Sequence, residues 1–86
     1  MEKMLSARKV ATAGPGYHAD GGGLYLQVSE SGARSWILRY QLNGRRREMG
    51  LGSAGLFGLA EARERTVAAR RLLADGIDPI EARKAE

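Results

Sequence analysis

Apolar and polar positions alternate with a period of two across the middle of this chain. Leu24-Tyr25-Leu26-Gln27-Val28-Ser29 alternates strictly, and Trp36-Ile37-Leu38-Arg39-Tyr40-Gln41-Leu42 does so apart from Ile37. A third run, residues 45–51, places Met49 and Leu51 two apart. Successive side chains leave a pleated backbone on opposite faces, so this spacing predicts half-buried strands. Ser31-Gly32 and Asn43-Gly44 fill the two gaps, and Asn-Gly tolerates the positive φ that a tight hairpin needs. The expectation is a three-stranded antiparallel meander. Its inward face carries Leu24, Leu26, Val28, Trp36, Leu38, Leu42, Met49 and Leu51, and its outward face Tyr25, Gln27, Arg39, Gln41, Arg46 and Glu48.

The pattern changes period after the meander. Residues 50–55 read as a glycine-rich loop, Leu56-Phe57 as a return to the core, and Leu59–Ala74 as a helix. Leu59, Ala62, Thr66, Ala69 and Leu73 recur at helical spacing, a narrow seam of mostly small residues that lets the helix lie close to the sheet. Gly58 takes the N-cap, Glu61 at the third position meets the positive end of the dipole, and Glu61 with Arg65 is an i,i+4 pair. Gly76 supplies a left-handed stop. Before the meander, Ser6 caps a short helical turn over residues 7–11, with Val10 and Leu5 against the sheet; residues 1–13 otherwise say little. Gly14-Pro15-Gly16 breaks that turn, and Tyr17-His18-Ala19-Asp20 is short and extended, a candidate extra edge strand. The fold class is α+β: a three-stranded antiparallel meander, with that short N-terminal strand as an option, packed on one C-terminal helix. Residues 1–76 form the domain, and residues 77–86 begin a linker in which Pro79-Ile80-Glu81-Ala82-Arg83-Lys84 is the first turn of an abandoned helix.

Eighty-six residues make one small domain, which buries about 60–65% of its unfolded surface. The chain has no cysteine and a single histidine, so neither a disulfide nor a thiolate-metal site is expected. The apolar runs are too short to span a membrane and no signal peptide precedes them, which points to the cytoplasm. The net charge is +4 and the isoelectric point about 10.0, but clustering matters more than the total. Five arginines and no acid occupy residues 34–47.

Catalytic chemistry is nearly absent. His18 has no nucleophile placed beside it and reads as a solvated histidine; the acids are scattered along the helix and tail. Gly21-Gly22-Gly23 is followed by a strand and has no lysine nearby, so it is a turn and not a phosphate loop. The arginines read differently. A guanidinium on an exposed strand can bridge two acceptors on a guanine edge or grip phosphate, and the major groove admits a β-ribbon. Arg39 and Gln41 share a face and suit base edges, while Arg45 and Arg47 flank the hairpin end and suit phosphates. The plainer reading is that such arginines solubilise a sheet face, and Glu48 on the same face supports it. Trp36 and Tyr40 point inward and belong to the core, whereas Tyr25 points outward beside Gln27.

In order, Ala19-Asp20-Gly21-Gly22-Gly23-Leu24-Tyr25-Leu26, Ser35-Trp36 to Arg39-Tyr40, Gly44-Arg45-Arg46-Arg47-Glu48-Met49-Gly50-Leu51-Gly52 and Leu59-Ala60-Glu61-Ala62-Arg63 to Gly76-Ile77-Asp78-Pro79 form a specific set. The set resembles the N-terminal arm-DNA-binding domain of prophage integrases of the tyrosine recombinase family, over nearly the whole chain. Gly58 departs from a common Ser or Thr cap and Ala54-Gly55 from a common Tyr-Pro, which concern the helix start and the loop path. The resemblance implies a module ahead of core-binding and catalytic domains that are not in this sequence; the family's arginines, His-x-x-Arg and nucleophilic tyrosine have no counterpart here. It implies that the chain is not itself an enzyme and binds double-stranded DNA at arm-type sites, sheet in the major groove, supporting DNA integration and recombination. Other integrase subunits are the implied protein partners, in the bacterial host near the nucleoid. No cofactor, metal, membrane or small-molecule ligand is expected. The candidate contact residues are Tyr25, Gln27, Arg34, Arg39, Gln41, Arg45, Arg46 and Arg47. The rival readings are a protein-interaction module of the same recombinase and a single-stranded nucleic-acid binder that stacks bases on Tyr25.

Overall fold

The computed structural model describes residues 5–86; the first four residues of the expected domain lie outside the described residues. The elements run α1 (Ala7–Thr12), β1 (Gly16–Gly21), β2 (Leu24–Val28), β3 (Arg34–Leu42), β4 (Arg45–Ser53), α2 (Leu59–Ala74) and α3 (Pro79–Lys84). The sheet is antiparallel with strand order β1-β2-β3-β4. It therefore has four strands where the alternating pattern predicts three. The extended segment before the glycines pairs with β2 from Gly16↔Val28 to Gly21↔Leu24 and becomes an edge strand.

The expected register holds in the middle of the sheet. Leu24 faces Leu38 and Leu26 faces Trp36, and Asn43 (φ 52°) and Gly44 (φ 78°) make the hairpin turn between β3 and β4. Leu24, Leu26, Trp36 and Leu38 are all but inaccessible and meet Ala62 and Ala69 of α2, while Thr66 satisfies its buried hydroxyl on the Ala62 carbonyl at 2.9 Å. The Trp36 indole N–H donates to the Phe57 carbonyl at 2.7 Å, which gives this large ring its one polar partner. Burying side chains of this size stabilises by about 1.5–3 kcal/mol each, so they dominate so small a core.

Two bulges carry the remaining inward groups. The register steps between Trp36 and Ile37, leaving Leu51 as the extra residue, buried in the core. Residues 50–53, expected as loop, therefore continue β4. Gly52 follows with φ 128°, and a Cβ there would lie 2.5 Å from the Phe57 ring, so only glycine lets Phe57 close over the bulge. Phe57 returns to the core as expected, but Leu56 is 80% exposed. The second step, between Ala19 and Gly21, turns the Asp20 carboxylate inward to complete burial.

The helices have separate origins. Ser6 caps α1 by accepting from the Lys9 amide at 3.1 Å, and Leu5 and Ala13 reach the core. α2 has the expected bounds; Gly58 makes no side-chain cap, and Glu61 binds Arg65 instead of reaching back. The tail expected to be linker is folded. Asp78 accepts from the Ile80 amide at 2.9 Å, Pro79 occupies the first helical position, and α3 buries Pro79 and Ile80. All three helices meet the inward side of the sheet. The outward side has no helix over it among the described residues.

Candidate nucleic-acid interface

Strand pleat and register place Tyr17, Tyr25, Gln27, Ile37, Arg39, Gln41, Arg46 and Glu48 together on the uncovered face. Ile37, the residue that interrupts the apolar alternation, is buried on this side and lies outside the main core cluster. It floors a polar and aromatic surface. Arg39 is the centre of that surface: its guanidinium carbon lies 4.2 Å from the Tyr17 ring centroid and 4.9 Å from that of Tyr25. The two rings meet edge to face at 6.4 Å, and the Gln27 amide donates to the Tyr17 hydroxyl at 3.2 Å. Glu48, directly opposite Arg39 on β4, accepts from its Nε at 2.6 Å. That hydrogen bond, before all else, raises the Arg39 pKa above its ordinary value.

The backbone under Arg39 is held as firmly as its head group. The turn Gly21-Gly22-Gly23 has positive φ at all three residues and brings the Gly23 carbonyl to the Arg39 amide at 2.8 Å. A Cβ on Gly23 would sit 2.4 Å from the Arg39 carbonyl oxygen. The glycine run is thus a turn, and it locks the strand that carries the central arginine. Beyond it, a depression of about 520 Å³ opens at the β3–β4 hairpin, lined by Arg39, Tyr40, Gln41, Arg46, Arg47 and Glu48.

The arginines expected to act together separate into three groups. Arg39 and Arg46 stand on the open face, and Arg45 is exposed at the hairpin. Arg34 is turned to the helix side. Its Nε donates to the Val10 carbonyl at 2.9 Å, and its terminal nitrogens to Gly32 (3.0 Å), Ala11 (3.2 Å) and Ala13 (2.7 Å). A cation at the carboxyl end of α1 completes that helix terminus, so its guanidinium is engaged in structure.

Arg47 faces Tyr40 on the inward side, where α3 packs. It donates to Asp78 Oδ2 at 3.1 Å and Glu81 Oε2 at 2.7 Å, and its side chain is only 19% exposed. The Tyr40 hydroxyl donates to the other Asp78 oxygen. Burial, then the carboxylate beside it, pushes the Tyr40 phenol up to about 12. The Tyr40 hydrogen bond holds Asp78 below the usual carboxylate range, and the Arg47 hydrogen bond does the same for Glu81. Arg34 and Arg47 thus have their guanidinium groups engaged by partners within the folded chain. Asp78 and Glu81 lie more than 30 residues from Arg47, beyond any local pattern. Tyr17 lies outside the expected set for a different reason: Tyr17 and Ala19 are the only apolar positions of Gly16–Gly21 and share the outward face, so the strand shows no inward apolar alternation. His18 is not simply solvated, since its Nε2 lies 2.7 Å from the Gly14 carbonyl oxygen.

Comparison with known proteins identifies the family. The family described as Arm DNA-binding domain matches residues 5–86. The integrase of Shigella phage Sf6 and the prophage integrase IntS of Escherichia coli (strain K12) are each 38% identical over 86 residues, covering 95% of this chain and 22% of their own lengths. The integrase of Enterobacteria phage P4 is 41% identical over 81 residues, covering 87% of this chain and 18% of its own. The chain spans about a fifth of the length of these relatives, in the part that matches a DNA-binding domain and not a catalytic one.

Proposed function

The chain belongs to the Arm DNA-binding domain family, and from that membership we propose that it binds duplex DNA at arm-type sites for a phage-type tyrosine recombinase. The observation that carries this reading is the uncovered sheet face on which Arg39, Gln41 and Arg46 stand together, with the helices of the described residues on the other side. A sheet presented this way fits the major groove, where arginine forks to guanine and amide side chains pair with adenine. Tyr25, Gln27, Arg39 and Gln41 are the groups for base edges, and Arg45 and Arg46 at the hairpin are those for phosphates. Arg34 and Arg47 serve the fold. In the parent enzyme the module acts with other integrase subunits on DNA in the bacterial cytoplasm. No helix among the described residues is long and apolar enough to cross a membrane.

The electrostatic expectation is smaller than five arginines would give. With Arg45 and Arg46 on phosphates, log affinity should fall with log salt at a slope of roughly −2. Fluorescence anisotropy with duplex, single-stranded DNA and RNA at several stated salt concentrations measures it. A slope near zero, or equal affinity for the single strands, would overturn the duplex reading and favour a protein partner or a stacking surface.

A further inference from the structure

We propose that Glu48 is a positioning residue that, with Tyr17 and Tyr25, presents Arg39 to a guanine; the inference rests on the duplex-binding reading above. A carboxylate on a surface that meets phosphates is unfavourable by itself, since it repels the nearest charges of the ligand. Glu48 offsets this by what it does to its neighbour. It takes the Arg39 Nε at 2.6 Å and not the two terminal amino groups. Those terminal groups are the fork that matches O6 and N7 of guanine in the major groove.

The rest of the setting fixes the plane of that fork. Two tyrosine rings lie against the guanidinium, at 4.2 and 4.9 Å, and Tyr17 is itself held by the Gln27 amide. The strand beneath is held by the Gly23 carbonyl. An arginine side chain otherwise samples many rotamers, and one already ordered before binding loses less freedom in the complex. Position argues for a base and against a phosphate. β3 is an inner strand, with β2 and β4 on either side, whereas Arg45 and Arg46 lie at the hairpin end. A sheet laid into the groove brings its middle to the base edges and its ends to the backbones.

The Arg39–Glu48 pair is exposed, with side chains 40% and 45% accessible, so it adds little to folding stability. Glu48→Ala can therefore be read as a recognition variant. The experiment selects binding sites from a random duplex library with the wild-type chain, then measures affinity for each single-base variant of the selected site. Wild type is expected to require guanine at one position, and Arg39→Ala to lose roughly tenfold or more discrimination there alone. Glu48→Ala should lose several-fold discrimination at the same position while binding random duplex as well as wild type or better. Glu48→Gln, which keeps an acceptor for Nε, should restore part of it, and Tyr17→Leu should weaken the same preference.

Full guanine discrimination in Glu48→Ala would overturn the proposal, as would a loss at some other base pair, because Glu48 would then be reading a base itself. If the wild type selects no duplex at all, the DNA-binding reading falls and this inference with it. That result is distinct from a wild type that selects and a Glu48→Ala variant that matches it.

Discussion

Removing Arg63 should unfold much of the population at moderate temperature, although Arg63 lies on α2, across the sheet from the candidate DNA face. Its Nε and Nη2 each lie 2.8 Å from a different oxygen of Asp20, and Nη2 also donates to the Leu5 carbonyl at 2.9 Å. Asp20 is fully buried and accepts from the Leu5 amide at 2.9 Å. The pair thus ties β1, the residues before α1 and α2 together, and the hydrogen bond to Asp20 raises the Arg63 pKa. Arg63→Met keeps some apolar stem but takes the Arg63 cation and its two hydrogen bonds away from a fully buried carboxylate, a loss of about 3–5 kcal/mol. An 86-residue domain has roughly 4–13 kcal/mol in total. For a domain of this size the melting temperature should fall by roughly 15–30 °C. Thermal unfolding followed by circular dichroism measures this, beside Asp20→Asn and the double variant. The double variant should be less damaged than Arg63→Met alone, because the buried carboxylate that Arg63 serves is then gone as well. A melting temperature within a few degrees of wild type for Arg63→Met would refute the argument, as would strict additivity of the two changes.

Four other outcomes follow from the same structure. Gly23→Ala should lose about 1–3 kcal/mol in urea unfolding, because φ is +91° and the new Cβ meets the Arg39 carbonyl, while Gly14→Ala, in open space, should be neutral. Trp36→Ala should cost about 3–5 kcal/mol by the same measurement, whereas Tyr25→Ala should keep the fold and weaken duplex affinity. Arg47→Ala should leave duplex affinity nearly unchanged and speed hydrogen exchange in α3, the reverse of what its place in the arginine run suggests. With pH, the depressed Asp78 and Glu81 carboxyls add stability above the ordinary carboxylate range that is lost as pH falls through their folded values. Tyr40 has the opposite sense: its contribution is complete below about 10 and disappears as pH rises toward 12, so ultraviolet titration should show a late tyrosinate step that Tyr40→Phe abolishes.

Period-two alternation was enough to determine β2 and β3 and which side of each residue faces inward, and Asn43-Gly44 the hairpin from β3 to β4. Helical spacing and Gly76 were likewise enough for α2. These are local matters: strand pleat and helix pitch convert spacing into direction whatever surrounds them. The separation of Arg39 and Gln41 from Trp36, Leu38 and Tyr40 follows from pleat alone. The fates of the individual arginines do not. Arg34, Arg39 and Arg47 have the same chemistry and sit in one basic run, yet one closes α1, one lies against two tyrosines beside Glu48, and one holds α3. Each outcome depends on a partner brought in from a distant segment, such as Val10 for Arg34 or Asp78 for Arg47. The fourth strand, only an option from its extended pattern, and α3, expected to stop after one turn, were half legible for the same reason. The six residues of β1 and the six of α3 carry too few apolar positions to declare a period, and each is held by a partner outside its own run, β1 by β2 and α3 by Tyr40 and Arg47. Only the folded chain could decide which arginine would meet which of these partners.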